Sequence, residues 1–342
     1  MVSGSVVRTH PLGDLALDTG RRLSDAALVY EVHGEPAADG SNVILFPTFF
    51  MGTHAENRWL IGPGRPLDPR RYCIVVPNLL GNGVSTSPSN AAAGQRGADF
   101  PTVGYGDQVR AQRRLIREVF GVAQLHAVVG WSMGAAQALH WAVAFPREVE
   151  RVFAFCGSAR TSELNAVFLD SVEAAIRTDP MLADGIPTAG LRAAARVYAG
   201  WGFSGAFYEG QEYRTLGFDT REDFVRGFWE EMLLAQDPWN LITMIRTWRE
   251  GDVGTTAGSS TDAALAGITA RTAIVSAALD MYFTPEQGAR DAERIPGATF
   301  EVIPGTWGHS AGVGLNPPDN AFIDRALREL LGRDSVDLDP TS

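Results

Sequence analysis

The segment Ala127-Val128-Val129-Gly130-Trp131-Ser132-Met133-Gly134 constrains this chain more than any other. An apolar run rich in valine enters Gly-x-Ser-x-Gly and leaves directly into the Ala-rich stretch Met133 to Phe145, which reads as a buried helix ending at Pro146. A serine in so sharp a strand-to-helix turn has main chain close on both sides. Side chains at positions 130 and 134 would collide with it, so both must be glycine. The strained turn pushes the Ser132 hydroxyl outward. The amino end of the following helix points its N–H groups and positive dipole end at the place where an oxyanion would form, the arrangement of a nucleophile elbow.

The surrounding pattern supplies a sheet for that turn. Apolar runs at 27–35, 42–50, 72–78, 125–131, 149–156, 271–278 and 298–303 read as strands. Helical patterns such as 110–120 and 322–331 separate or follow them. Buried strands alternating with helices predict an α/β fold, a mostly parallel sheet flanked by helices on both faces. The stretch from 161 to 251 departs from this, with helical patterns, many aromatics between Tyr198 and Phe228, and no strand. The Gly/Ser/Thr/Ala-rich piece 251–267 then reads as a return linker. The expected organisation is a core of residues 1–160 and 266–342, a helical lid inserted at 161–265, and a solvated acidic tail from Asp334.

An unactivated serine hydroxyl is a poor nucleophile at neutral pH and needs a histidine base oriented by a carboxylate. After Ser132 the chain has only His140 and His309. His140 sits on the buried helix that begins at Met133 and cannot fold back, so His309, in a Gly-rich loop after the last strand, is the expected base. Asp280 ends the apolar run Thr272 to Leu279 and opens into a loop before the helix start Thr284-Pro285, where the orienting acid of such a fold belongs. For an oxyanion, the Met133 N–H is one expected donor. The second falls in the loop after an early strand, at Phe49, with Thr48 and Phe50 as alternatives because Pro47 has no N–H to give.

Composition narrows the partners. With 29 Lys+Arg against 40 Asp+Glu the formal charge of the 342 residues is -11, which repels phosphate backbones and anionic headgroups. Neither nucleic acid nor a membrane is expected as a partner. The two cysteines, Cys73 and Cys156, form no ligand cluster and read as small buried residues; no metal motif such as HExxH occurs, so no metal is expected. The first residues lack a basic region followed by a long apolar stretch, and no segment approaches 18 uninterrupted apolar residues, so a soluble cytoplasmic protein is expected.

The turn followed by Gln137-Ala138-Leu139-His140-Trp141-Ala142 resembles the homoserine O-acetyltransferase branch of the α/β-hydrolase superfamily. So do Leu60 to Asp68 with Arg71-Tyr72, Asn78 to Gly83, Ser158-Ala159-Arg160, and Asp280 to Gln287. The resemblance implies the α/β-hydrolase fold with a helical lid inserted after the strand near Cys156, a lid often used for homodimerisation. It also marks departures. Where the acetyltransferases have Gly before the nucleophile and Gly-Gly-Met-Gln after the Met, this chain has Trp131 and Gly134-Ala135-Ala136-Gln137. They carry an Asp after the base histidine, implicated in gripping the acceptor's amino group; here it is Ser310, which cannot pair an ammonium ion as a carboxylate does.

Together with Trp307, the residues Trp131 and Ser310 are expected to line a substrate pocket for a neutral, apolar ligand. The expected function is a serine hydrolase that cleaves a small ester or acyl substrate through a covalent acyl-enzyme, with no cofactor. The alternatives are an O-acyltransferase, which would take acetyl-CoA as co-substrate, and a ligand receptor on the same fold.

Overall fold

The computed structural model describes residues 4–183 and 185–332, so the acidic tail lies outside the described residues. Its centre is one sheet of 8 strands in the order β1-β2-β4-β3-β5-β6-β7-β8. The strands are β1 (Val6–Ala16), β2 (Arg22–His33), β3 (Val43–Leu45), β4 (Cys73–Pro77), β5 (Ala127–Trp131), β6 (Arg151–Phe155), β7 (Arg271–Ala277) and β8 (Thr299–Ile303). β1 and β2 are antiparallel and β2 joins β4 antiparallel; every later pairing is parallel.

The short parallel strands are buried on both faces, and their residues divide by period two between two cores. Ile44, Ile74, Val76 and Val129 face one cluster, while Val43, Leu45, Val75 and Val128 face the other. The second face is covered by α1 (Tyr105–Leu115), which runs on into a turn of π-helix, and by α2 (Met133–Ala144). α2 is buried from Met133 to Ala142, as its largely apolar sequence requires, with Gln137 and His140 as its buried polar residues.

Between β6 and β7 the chain forms a helical insertion. Its helices are α3 (Glu163–Arg177), α4 (Thr188–Gly202), α5 (Gly205–Glu209), α6 (Arg221–Phe224), α7 (Glu231–Leu234), α8 (Pro238–Arg249), α9 (Val253–Ala257) and α10 (Thr261–Ala266). α11 (Pro285–Arg294) follows β7, and α12 (Pro317–Leu331) closes the fold against the first face. The aromatics of the insertion belong to the same buried cluster as that face.

The structure corrects the expected elements in three places. β1 was not expected at all, and β2 begins at Arg22 rather than near Ala27. β3 is confined to Val43–Leu45, because the chain turns away at Pro47 and the 46–50 segment becomes a loop. The expected linker at 251–267 contains α9 and α10, capped by Asp252 and Ser260. Val253, Ala264 and Leu265 pack into the core on the α2 face, so this piece is built into the body of the fold. No helix among the described residues is long and apolar enough to cross a membrane.

Candidate active site

β5 delivers Ser132 at its carboxyl end, and α2 starts at the next residue. Ser132 has φ 55° and ψ −124°, a conformation L-residues rarely adopt. It is held there by its own N–H donating to the Phe155 carbonyl (3.1 Å) and by its carbonyl accepting from Ala135 (2.9 Å) and Ala136 (3.1 Å). A Cβ on Gly130 would lie 2.0 Å from the Gly134 carbonyl oxygen, and one on Gly134 would lie 2.8 Å from the Pro47 carbonyl oxygen. Both glycines are therefore fixed by backbone against backbone.

Asp280 and His309 come from the carboxyl ends of β7 and β8 and meet Ser132 there. The Asp280 carboxylate accepts the Tyr282 N–H (2.8 Å) and the Phe283 N–H (3.1 Å) on Oδ1, and its Oδ2 lies 2.8 Å from His309 Nδ1. A carboxylate only accepts, so Nδ1 carries the proton and donates to Asp280. That leaves the Nε2 lone pair facing the Ser132 hydroxyl at 2.9 Å. All three side chains are buried, at 3% (Ser132), 3% (Asp280) and 5% (His309) exposure. The chain of hydrogen bonds runs carboxylate, imidazole, hydroxyl, the order needed to draw a proton off Oγ.

The loop after β3 lies over the first turn of α2. Gln137 Nε2 donates to the Thr48 carbonyl (2.9 Å) and Asn57 Nδ2 to the Phe46 carbonyl (2.9 Å), which pins the loop. The Thr48 N–H is occupied by the Pro77 carbonyl (3.2 Å), which removes Thr48 from the alternative oxyanion donors. The Phe49, Phe50 and Met133 N–H groups make no hydrogen bond to another described residue, so Phe50 stays beside Phe49 among the candidate donors.

Rings surround the hydroxyl and imidazole. Trp131 stacks on His309, Tyr282 meets it edge-on with centroids 4.8 Å apart, and Phe283 is 5.5 Å away. Tyr282 also contacts Phe168, Tyr198 and Trp248 from the insertion at 4.7, 5.8 and 5.6 Å. Burial raises the Tyr282 phenol well above its ordinary value, so it stays neutral. Tyr282 and Phe283 were not singled out in the sequence; the signal was available, since an Asp at a strand end caps the amides two and three residues on.

Of the residues expected to line a pocket, Trp131 lies against the imidazole, while Trp307 and Ser310 are engaged elsewhere. Ser310 Oγ donates to the Gly202 carbonyl at the end of α4 (2.8 Å), and Trp307 Nε1 donates to Glu212 (2.7 Å). Both side chains face the insertion because it supplies acceptors within reach. Cys73 and Cys156 are buried free thiols, as expected, and burial raises both pKa values. His140 bonds Thr256 through Nδ1 (2.7 Å), apart from the Ser132 site. Among the described residues no group of His, Cys, Asp or Glu is arranged to hold a metal ion.

Comparison with known proteins shows the family of the chain. The chain is 38% identical over 327 residues to an ethyl acetate hydrolase of Pseudomonas veronii, covering 94% of each chain. It is 33% identical to a homoserine O-succinyltransferase of Pseudomonas putida, covering 87% of this chain and 88% of that one. A solved structure of the acetyl esterase MekB superimposes with a TM-score of 0.93 at 37% identity, covering 95% of this chain and 96% of that one. The pattern of the alpha/beta hydrolase fold family matches residues 42–313. By these matches and by its sheet order, the chain belongs to the alpha/beta hydrolase family, related to both its esterases and its homoserine acyltransferases.

Proposed function

We propose that this chain is a serine esterase acting on small, neutral esters such as acetates. The observation that carries the reading is the buried run of hydrogen bonds from Asp280 through His309 to Ser132. Ser132 Oγ attacks the ester carbonyl carbon while His309 Nε2 takes its proton, and Asp280 stabilises the imidazolium and keeps Nδ1 protonated. The carbonyl oxygen becomes an oxyanion held by the Met133 and Phe49 N–H groups, in line with their lack of other partners. The tetrahedral centre collapses, His309 returns the proton to the departing alkoxide, and an acyl-Ser132 remains. Water then attacks with His309 again as base, releasing the acid and restoring the serine.

The insertion acts as a lid over this centre, and its rings favour an uncharged ligand, since a buried charge with no partner is costly. The esterase and acetyl esterase relatives support the same substrate class. The acyltransferase reading shares every step up to acyl-Ser132 and differs only in the acceptor; kinship to a homoserine O-succinyltransferase keeps it as the second reading. The test incubates the protein with ethyl acetate or p-nitrophenyl acetate, and separately with acetyl-CoA and homoserine. Ester hydrolysis that disappears in Ser132→Ala is expected, with fluorophosphonate labelling mapping to Ser132. CoA release that depends on homoserine, without ester hydrolysis, would overturn the esterase reading.

A further inference from the structure

His309 lies in the stretch that links β8 to α12, and that stretch has little structure of its own. Pro304, Gly305 and Thr306 make no backbone-to-backbone hydrogen bond to another described residue. Gly305 lies against Asp319 of α12, where a Cβ would come 2.2 Å from Oδ1, and Thr306 is held from the insertion, about a hundred residues earlier in the chain. Ser204, the cap of α5, accepts the Phe207 N–H (3.1 Å), and its own hydroxyl donates a hydrogen bond to the Thr306 carbonyl. The Glu212 carboxylate accepts from the Thr306 hydroxyl on one oxygen and from Trp307 Nε1–H on the other (2.7 Å).

The same contact continues through the base itself. Gly308 has φ 57°, and a Cβ there would lie 3.0 Å from Ser204 N and 3.1 Å from the Leu279 carbonyl oxygen. Insertion backbone is thus pressed against the residue preceding His309. The residue after it, Ser310, donates to the Gly202 carbonyl (2.8 Å). His309 is held between two residues that both lean on the end of α4. Glu212 makes both of its contacts with neutral donors and forms no ion pair with a described residue within 4.0 Å, so its carboxylate serves these two groups. Hydrogen bonds to a charged acceptor are the stronger kind.

We propose that Glu212 is a positioning residue for His309: by fixing Thr306 and Trp307 it makes the Ser132–His309 contact depend on the insertion being docked. The insertion then does more than cover the substrate, because any displacement of the 202–212 segment also displaces the base. This inference rests on His309 being the base of the proposed reaction.

The test compares wild type with Glu212→Ala, with Glu212→Gln, and with the double variant Thr306→Val/Trp307→Phe, which removes the donors from the other side. Misplacing a catalytic group by an ångström costs on the order of a hundredfold in rate, so Glu212→Ala and the double variant should each lower kcat toward p-nitrophenyl acetate by about tenfold or more while KM changes far less. Glu212→Gln, which keeps one acceptor oxygen, should recover part of the loss. Combining Glu212→Ala with the double variant should add little, because both break the same contact.

A second readout is independent of turnover. The His309 Nδ1 proton, identified by its loss in Asp280→Asn, should give a downfield NMR resonance in wild type that broadens or disappears in Glu212→Ala. Unchanged kcat and an unchanged resonance in folded Glu212→Ala would overturn the inference. If Glu212→Ala fails to fold, the Thr306→Val/Trp307→Phe protein decides by the same two measurements. A wild type with the resonance but no esterase activity would defeat the esterase reading alone, leaving the NMR comparison to judge the clamp.

Discussion

The Trp131 indole lies nearly parallel to the His309 imidazole, ring centroids 5.0 Å apart and planes 24° from coincidence. It also meets Phe49 edge-on, with ring centroids 4.3 Å apart. It therefore touches both His309, the proposed base, and the loop that carries a proposed oxyanion donor. Gly312 makes this possible, since a Cβ there would be 2.2 Å from Trp131 Nε1. Trp131→Ala should open a space beside the nucleophile and raise the ratio of butanoate to acetate ester turnover. Removing a buried tryptophan should also cost about 3–5 kcal/mol of stability. Initial rates on a series of p-nitrophenyl esters, with a thermal melt, check both; an unchanged ratio would detach Trp131 from the acyl site.

In the proposed reaction Asp280 has two tasks, which separate on substitution. Asp280→Asn can still accept the Tyr282 and Phe283 amides, so the loop should survive, but an amide cannot hold His309 Nδ1 protonated and offset an imidazolium. A fall in kcat of about 10³–10⁴-fold with little change in melting temperature is expected. Parallel melts and single-turnover rates measure it.

The turn at Ser132 leaves no room for adjustment. Gly130→Ala would place a methyl 2.0 Å from the Gly134 carbonyl oxygen and 2.5 Å from the Ala135 nitrogen. No side-chain rotation relieves a clash with main chain, so β5 and α2 must separate. The expected result is loss of soluble folded protein, or a drop of several kcal/mol in a denaturant melt, on the order of the largest single-substitution effects.

Two buried groups tilt the stability profile in opposite directions. Burial lowers the His140 pKa to about 3, below its unfolded value of 6.5. As pH falls below that value the unfolded chain takes up a proton the folded one refuses, so stability is lost between about pH 6.5 and 3. Burial raises Asp291 to about 6 from 3.8, and there the folded chain holds the extra proton, so stability is lost as pH rises through that window. Asp291→Asn keeps an acceptor for the Ala159 N–H and should stabilise the protein at pH 8 by up to about 3 kcal/mol, with the gain vanishing near pH 4. His140→Phe should flatten the acid side. Chemical denaturation across pH 4 to 8 tests both signs.

The three side chains that the structure brings together at the candidate site were singled out in the sequence because each is marked by its local setting. Ser132 is flanked by glycines that only a strained turn needs, and Asp280 and His309 stand where strands open into loops. β1 was not readable: Val6–Ala16 is mostly exposed and is broken by Pro11 and Gly13, so no alternation survives. α9 and α10 were hidden by their glycines and serines, although Asp252 and Ser260 were available as caps. The tether between Glu212 and Trp307 joins residues 95 apart, and the destination of the Ser310 hydroxyl is 108 residues away. Such pairings arise from how the insertion settles, which no short-range pattern records.

β1 forms an outer margin of the sheet, and its pairing with β2 shifts register between Pro11 and Gly13 and again between Gly13 and Leu15. A flat, regular margin would offer a row of free amides to any passing strand. The missing proline donor and the two irregularities interrupt that row near its middle, so this border is a poor template for stacking chains into fibrils, and a concentrated solution is guarded against polymerising from this side.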